Sequence, residues 1–198
     1  MVACGACFSV ILTEDGAVRT CGQFTSSCLG VTVADADVEL NLPNVCCDFL
    51  EPALIDVCKP GLTHPAAFKV EYIAAGAVHV LAIADGTLFT WGQNCCGQLG
   101  TGKNSFKSEL LPVRIGREEV FGSAVRLAAG NEHHTLVLTE DRQVWAFGNS
   151  EQGRLGRTYP SASIYVMSPQ LVDAKHFENR SISCIAAGKG HSGGLKSP

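Results

Sequence analysis

No run of about eighteen consecutive apolar residues occurs in the 198-residue chain, so no segment reads as a membrane-spanning helix. Charge is sparse as well: charged residues make up 17% of the chain and aromatics 7%, a composition that speaks against a disordered or mainly helical protein. Basic residues are missing altogether between Arg19 and Lys59, and the net charge is −4. That balance argues against duplex nucleic acid as a direct ligand, which needs clustered Lys and Arg to displace counterions. The N-terminal stretch MVACGACFSVILTEDG has no basic leader and meets Glu14 and Asp15 early, so no signal peptide is expected. These absences predict a soluble protein of the cytoplasm or nucleus with reduced thiols.

What the chain has in quantity is glycine, 21 residues, arranged in a repeat. The stretch TWGQNCCGQLGTG at Thr90–Gly102 is matched without a gap by FGNSEQGRLG at 147–156 and more weakly by CGQFTSSCLG at 21–30. Each period opens on a small-small-Gly step, at Ala3-Cys4-Gly5, Ala74-Ala75-Gly76, Ala128-Ala129-Gly130 and Ala186-Ala187-Gly188. An apolar run follows, then an acidic turn (Asp15-Gly16, Asp85-Gly86, Asp141-Arg142), then a second run ending in Gly22, in Trp91-Gly92 or in Phe147-Gly148. Two such runs about an Asp-Gly turn predict a β-hairpin, because those residues tolerate positive φ. The glycine-to-aspartate spacing is ten, nine and eleven residues, and the turns are expected to absorb the difference. A further segment led by Pro52, Pro112 or Pro169 predicts an outer strand. With the strand that leads into each small-small-Gly step, the unit holds about four strands, the make-up of a propeller blade.

The sequence Ala-Ala-Gly-x-x-His, apolar strand, Asp-Gly, Trp-Gly-x-Asn-x-x-Gly-Gln-Leu-Gly at 74–102 resembles the repeat of the regulator of chromosome condensation family. Residues 128–156 carry it with Phe147 for the Trp and Ser150 for the Asn, residues 3–30 carry it with Phe8 for the His and Cys21 for the aromatic, and 186–195 begin another copy. The resemblance implies an all-β fold, a β-propeller of about three four-stranded blades that is partial or open relative to the family's seven. The expected organisation is a single repeat domain over 1–198, with repeats at about 3–72, 73–126 and 127–184, the start of a fourth at 185–198, and an insertion loop at 31–51. Open edge strands would allow self-association. The predicted structural residues are Gly76, His79, Asp85, Gly86, Trp91, Gly92, Gly97, Leu99, Gly100, Gly130, His134, Gly148, Gly153, Leu155, Gly156 and Gly188.

Candidate chemistry is thin. Of the ten cysteines only Cys4-x-x-Cys7 has metal-like spacing, and no second pair completes it; Cys46-Cys47 and Cys95-Cys96 are adjacent, which suits neither a zinc knuckle nor an ordinary disulfide. No metal or cofactor is therefore expected, and the cysteines read as small packing residues. His79, His134 and His191 recur by register at the head of the inner-strand run, and read either as hydrogen-bonding stitches between strands or as partner contacts. Gly97–Lys103 lacks the spacing of a phosphate loop. Excess length in repeat proteins maps to loops of the binding face, which directs attention to the acidic 31–51 insertion.

The expected binding residues are Asp35, Asp37, Glu39 and Phe49 in that insertion, with Glu132, His133, Lys189 and His191 beside the repeat glycines; no catalytic residue is expected. The main functional expectation is a non-enzymatic protein-interaction module. The alternative, implied by the resemblance, is guanine nucleotide exchange on a Ran-like small GTPase, in which a propeller face and a projecting loop displace the nucleotide without covalent chemistry. In that family acidic residues stand just past the repeat glycine, where this chain has Ala6, Ala77, Asn131 and Lys189.

Overall fold

The structure, a computed structural model, describes residues 1–23, 27–30, 48–55, 69–102, 107–157, 164–178 and 180–196. Among these residues, fourteen strands form four antiparallel sheets. The first sheet holds β1 (Val2–Cys4), β2 (Phe8–Leu12), β3 (Val18–Gln23) and β4 (Asp48–Ile55), in that order. The second holds β5 (Val70–Ala75), β6 (His79–Ala84), β7 (Thr87–Gly92) and β8 (Glu109–Gly116); the third holds β9 (Val125–Gly130), β10 (His134–Thr139), β11 (Val144–Asn149) and β12 (Tyr165–Leu171). Strands β13 (Ile182–Ala187) and β14 (Ser192–Lys196) make a two-stranded fourth. The expected four-stranded blade is seen three times, followed by a two-stranded sheet.

The first strands of successive sheets touch one another: β5 meets β1 and β9, and β9 meets β13. They are the inner strands, so the histidine-led strand is second in each blade and not innermost. The bulky ladder of β6 and β10 needs a neighbour on both faces, whereas the small residues of the Ala-Ala-Gly step let the inner strands crowd.

Side-chain alternation on β6 shows how one strand serves two cores, since successive residues point to opposite faces. Val80, Ala82 and Ala84 join Phe8, Val10 and Leu12 in a cluster against the first sheet. Leu81 and Ile83 face the other way into a cluster with Val125, Leu136 and Leu138 of the third sheet. All six residues of β6 are therefore buried. In β2, with a neighbouring sheet on one face only among the described residues, burial alternates instead: Phe8, Val10 and Leu12 are buried, Ser9 and Ile11 half-buried.

The turns absorb part of the spacing difference. Asp85 and Gly86 form a two-residue hairpin turn with φ of 47° and 64°, the left-handed pair of a type I′ turn. The first and third hairpins are longer, closed by Thr13 N–H to Ala17 O (3.0 Å) and Thr139 N–H to Gln143 O (3.1 Å). Their left-handed residues are Gly16 and Arg142. The third copy's remaining extra residue lies elsewhere, between Gly130 and His134: Asn131 N–H bonds His134 O, where Gly76 N–H bonds His79 O in the second.

The prolines also sit differently from expectation. Pro52, Pro112 and Pro169 fall within their outer strands, not at the head. In each blade one residue of the third strand (Cys21, Trp91, Phe147) faces three of the fourth, and the proline is the last of those three. A residue without an N–H fits where the ladder is already broken. Between the second and third sheets, the short helix α1 (Glu118–Phe121) buries Phe121 edge-on against Trp145, ring centres 5.6 Å apart.

Candidate functional site

The loops joining first to second strands line one end of the array. Three of the four repeat glycines are required there by a ring three residues on: a Cβ at Gly5 would lie 2.0 Å from the Phe8 ring, at Gly76 2.2 Å from His79 and at Gly188 2.3 Å from His191. Neighbouring glycine loops bond directly, Ala6 N–H to Ala77 O (2.9 Å) and the Asn131 side-chain amide to Ala187 O (3.0 Å). The segments leaving the third strands join the same rim, through Gln23 N–H to Cys7 O, Gln93 N–H to Val78 O and Asn149 N–H to His133 O, each 2.8 Å. The bonds between glycine loops tie the first sheet to the second and the third to the fourth along one rim.

Of the expected binding residues, Glu132, His133, Lys189 and His191 all lie on this rim. Lys189 Nζ sits 3.8 Å from Glu132 Oε1, an exposed ion pair spanning the third and fourth sheets. Glu132 is in the loop with the extra residue, so the insertion supplies an acid one position past Asn131. Phe49 pairs with Gly22, itself paired with Phe8, which brings the backbone of β4 to the same end. Asp35, Asp37 and Glu39 lie outside the described residues.

Beneath the rim, the seams between sheets carry buried polar bonds. His79, fully buried, contacts Thr135 Oγ1 of the next sheet at 2.9 Å through Nε2. The Thr135 hydroxyl donates to Gln98 O at 2.8 Å, so its single proton is committed and Nε2 of His79 must be the donor. The next seam repeats this with His134 Nε2 to Ser192 Oγ (3.0 Å) and Ser192 Oγ to Arg154 O (2.6 Å). Burial, reinforced by His134 and His133, depresses the His79 pKa to about 3; burial, reinforced by the Arg154 guanidinium and neighbouring histidines, depresses the His134 pKa to about 4. Both rings are neutral near pH 7.

The remaining predicted repeat residues take structural places. Asp85 and Gly86 make the hairpin turn, Gly92 and Gly148 stand opposite His79 and His134, and Leu99 and Leu155 are fully buried. Gly97, Gly100, Gly153 and Gly156 have positive φ, and Gly100 lies against the Phe147 ring, 2.7 Å from where a Cβ would be. Trp91 is buried and its indole donates to Cys28 O at 2.9 Å. Gly130 packs on the His79 ring of the preceding sheet.

Sequence reasoning passed over Thr135, Ser192 and Arg154; the signal for the first two was their place directly after a repeat histidine. It also set aside the adjacent pair Cys95-Cys96. The fold brings His133, 38 positions along, beside them, with the two sulfurs 3.7 Å apart and Cys95 Sγ 3.9 Å from His133 Nδ1. All three potential ligand atoms lie within 4.8 Å of one another.

Consecutive four-stranded antiparallel sheets, inner strand against inner strand, define a repeat-built β-propeller array, here incomplete. The chain belongs to the regulator of chromosome condensation (RCC1) repeat family, whose repeat model matches residues 85–138 and 141–195, with a second model of the same repeat matching 2–28 and 124–154. It is 31% identical over 96% of its length to the secretion-regulating guanine nucleotide exchange factor of Bos taurus, of which it spans 37%. Among solved structures, human WBSCR16 superposes with a TM-score of 0.77 at 21% identity, over 98% of this chain and 44% of that one. Prp20p of Saccharomyces cerevisiae, described with its binding properties to Gsp1p and histones, gives 0.73 at 23% identity over 99% and 42%. The expectation of a non-enzymatic chain does not stand against these relatives: a protein that aligns along nearly all of it is an exchange factor. No helix among the described residues is long and apolar enough to cross a membrane.

Proposed function

We propose that the chain acts in guanine nucleotide exchange on a small GTPase of the Ran class, with the rim of glycine loops as its binding face. The observation that carries this reading is the alignment with an exchange factor along 96% of the chain. An exchange factor accelerates nucleotide release by holding the nucleotide-free GTPase more tightly than the loaded form, so what it needs is a stiff surface of fixed charge. The rim suits that role because its loops are bonded to one another and to buried histidines. Glu132 would supply the acid that the family places one position earlier, with Lys189, His133 and His191 around it; Asp35, Asp37, Glu39 and Phe49 would approach the GTPase from the insertion. The place of action is nuclear or cytoplasmic.

The test is release of a fluorescent GDP analogue from Ran and a panel of other small GTPases. Accelerated release that falls on Glu132→Lys would support the reading, and unchanged release at saturating protein across the panel would remove it.

A further inference from the structure

We propose that Cys95, Cys96 and His133 form a three-ligand site for a thiophilic divalent cation of the zinc class, clipping the second sheet to the third. Both cysteines belong to the turn after β7, and His133 belongs to the glycine loop before β10, so the ligand set exists only where two blades meet. Two sulfurs bound tetrahedrally at about 2.3 Å from one zinc lie about 3.8 Å apart. The observed separation is 3.7 Å, and His133 Nδ1 stands 3.9 Å from the nearer sulfur. Sulfur and imidazole are the donors such an ion selects, and three protein ligands leave the fourth position for water.

The surroundings hold these ligands in place. Gln98 donates from its amide nitrogen to Cys95 Sγ at 3.7 Å while its amide oxygen accepts from Cys96 N–H at 2.9 Å, so one side chain orients both cysteines. The Gln98 carbonyl is in turn tied to Thr135 of the third sheet. Without an ion, burial and the adjacent Cys95 sulfur push the Cys96 thiol up to about 12, while the guanidinium of Arg154 acts in the opposite direction. A divalent cation would remove the obstacle to a thiolate there, as thiolate coordination is coupled to proton loss. This inference does not depend on nucleotide exchange.

The experiment uses the full chain, reduced, with Zn²⁺ titrated against a competing chelator and Co²⁺ as a spectroscopic stand-in. One equivalent should bind, with thiolate-to-cobalt charge transfer and tetrahedral visible bands, and Zn²⁺ should raise the unfolding temperature. Cys95→Ser and His133→Ala, both at half-buried positions, should each weaken binding at least tenfold with circular dichroism unchanged. Cys4→Ser/Cys7→Ser should leave it intact. Wild-type affinity in His133→Ala, or loss of binding in the Cys4/Cys7 variant, would overturn the site.

Discussion

The seam between the first and second sheets and the seam between the second and third present the same backbone carbonyl to the next blade, and satisfy it from opposite strands. At the second seam Gln98 O accepts from Thr135, which stands across from Phe147 in the β10–β11 ladder. At the first, the equivalent Cys28 O accepts from the indole of Trp91, which stands across from Val80 in the β6–β7 ladder. Where the second strand offers a hydroxyl, the third offers a plain phenyl ring; where the second strand offers only isopropyl, the third brings an N–H. The histidine follows the same logic. His79 faces Thr135, but at the first seam Phe8 takes the histidine position and Val80 the threonine position, so donor and acceptor vanish together.

Taken alone, Phe8 for His and Val80 for Thr look like decay of the repeat. Together they form a second, apolar solution. A buried polar atom costs most when its partner is lost, and least when both are replaced by matched apolar groups. The third seam, His134 to Ser192, keeps the polar solution.

The largest expected effect comes from splitting a polar seam. Thr135→Val leaves both His79 Nε2 and Gln98 O unpaired in the interior, at about 1–3 kcal/mol each, so urea unfolding should show a loss of about 2–6 kcal/mol. A loss under about 1 kcal/mol would mean that the bond is incidental. Acid should act on the same seam. The neutral His79 and His134 have folded pKa values of about 3 and 4, below the ordinary value of 6.5, so the unfolded chain takes up protons first. Their contribution is complete above pH 6.5 and is lost as pH falls from there toward the folded values. Unfolding midpoints should drop across that window, and less so in His79→Phe/Thr135→Val, which copies the apolar pairing. An unchanged slope in that variant would place the acid sensitivity elsewhere.

Next comes the donor exchange at the first seam. Trp91→Phe removes the donor to Cys28 O and should cost about 2 kcal/mol. Adding Val80→Thr recreates the Thr135–Phe147 pair, and a double-mutant cycle should return at least about 1 kcal/mol of favourable coupling; strict additivity would deny that the two residues do one job. The glycines give a smaller contrast. Gly100→Ala and Gly156→Ala share the strain of φ near 70° and 65°, but the first also drives a methyl to 2.7 Å from the Phe147 ring while the second meets only Val172 at 3.0 Å. Gly100→Ala should therefore be the more destabilising by about 1–3 kcal/mol in thermal unfolding. The smallest effect belongs to Glu132→Gln, where breaking an exposed pair should cost under about 1 kcal/mol of stability.

The blade plan was legible because its signals are local. Asp85-Gly86 specifies a two-residue turn, and the apolar runs on either side of it supply the paired strands. The strand order within the blade was less so: nothing in the residues of β6 distinguishes a first strand from a second, and only the stacking of β5 on β1 and β9 decides it. The proline positions were misjudged for a related reason, since the bulge that accommodates Pro112 depends on the residue across from it, Trp91.

By itself the amino-acid sequence determined the repeat, the hairpins and the residues that can face a core, because turn chemistry and side-chain alternation act within a few positions along the chain. Only the tertiary structure decided which histidine meets which hydroxyl, that Trp91 stands in for a threonine, and that His133 arrives beside Cys95 and Cys96. Those pairings join residues 38 to 63 positions apart across the seams between sheets, where the separation along the chain carries no information about the separation in space.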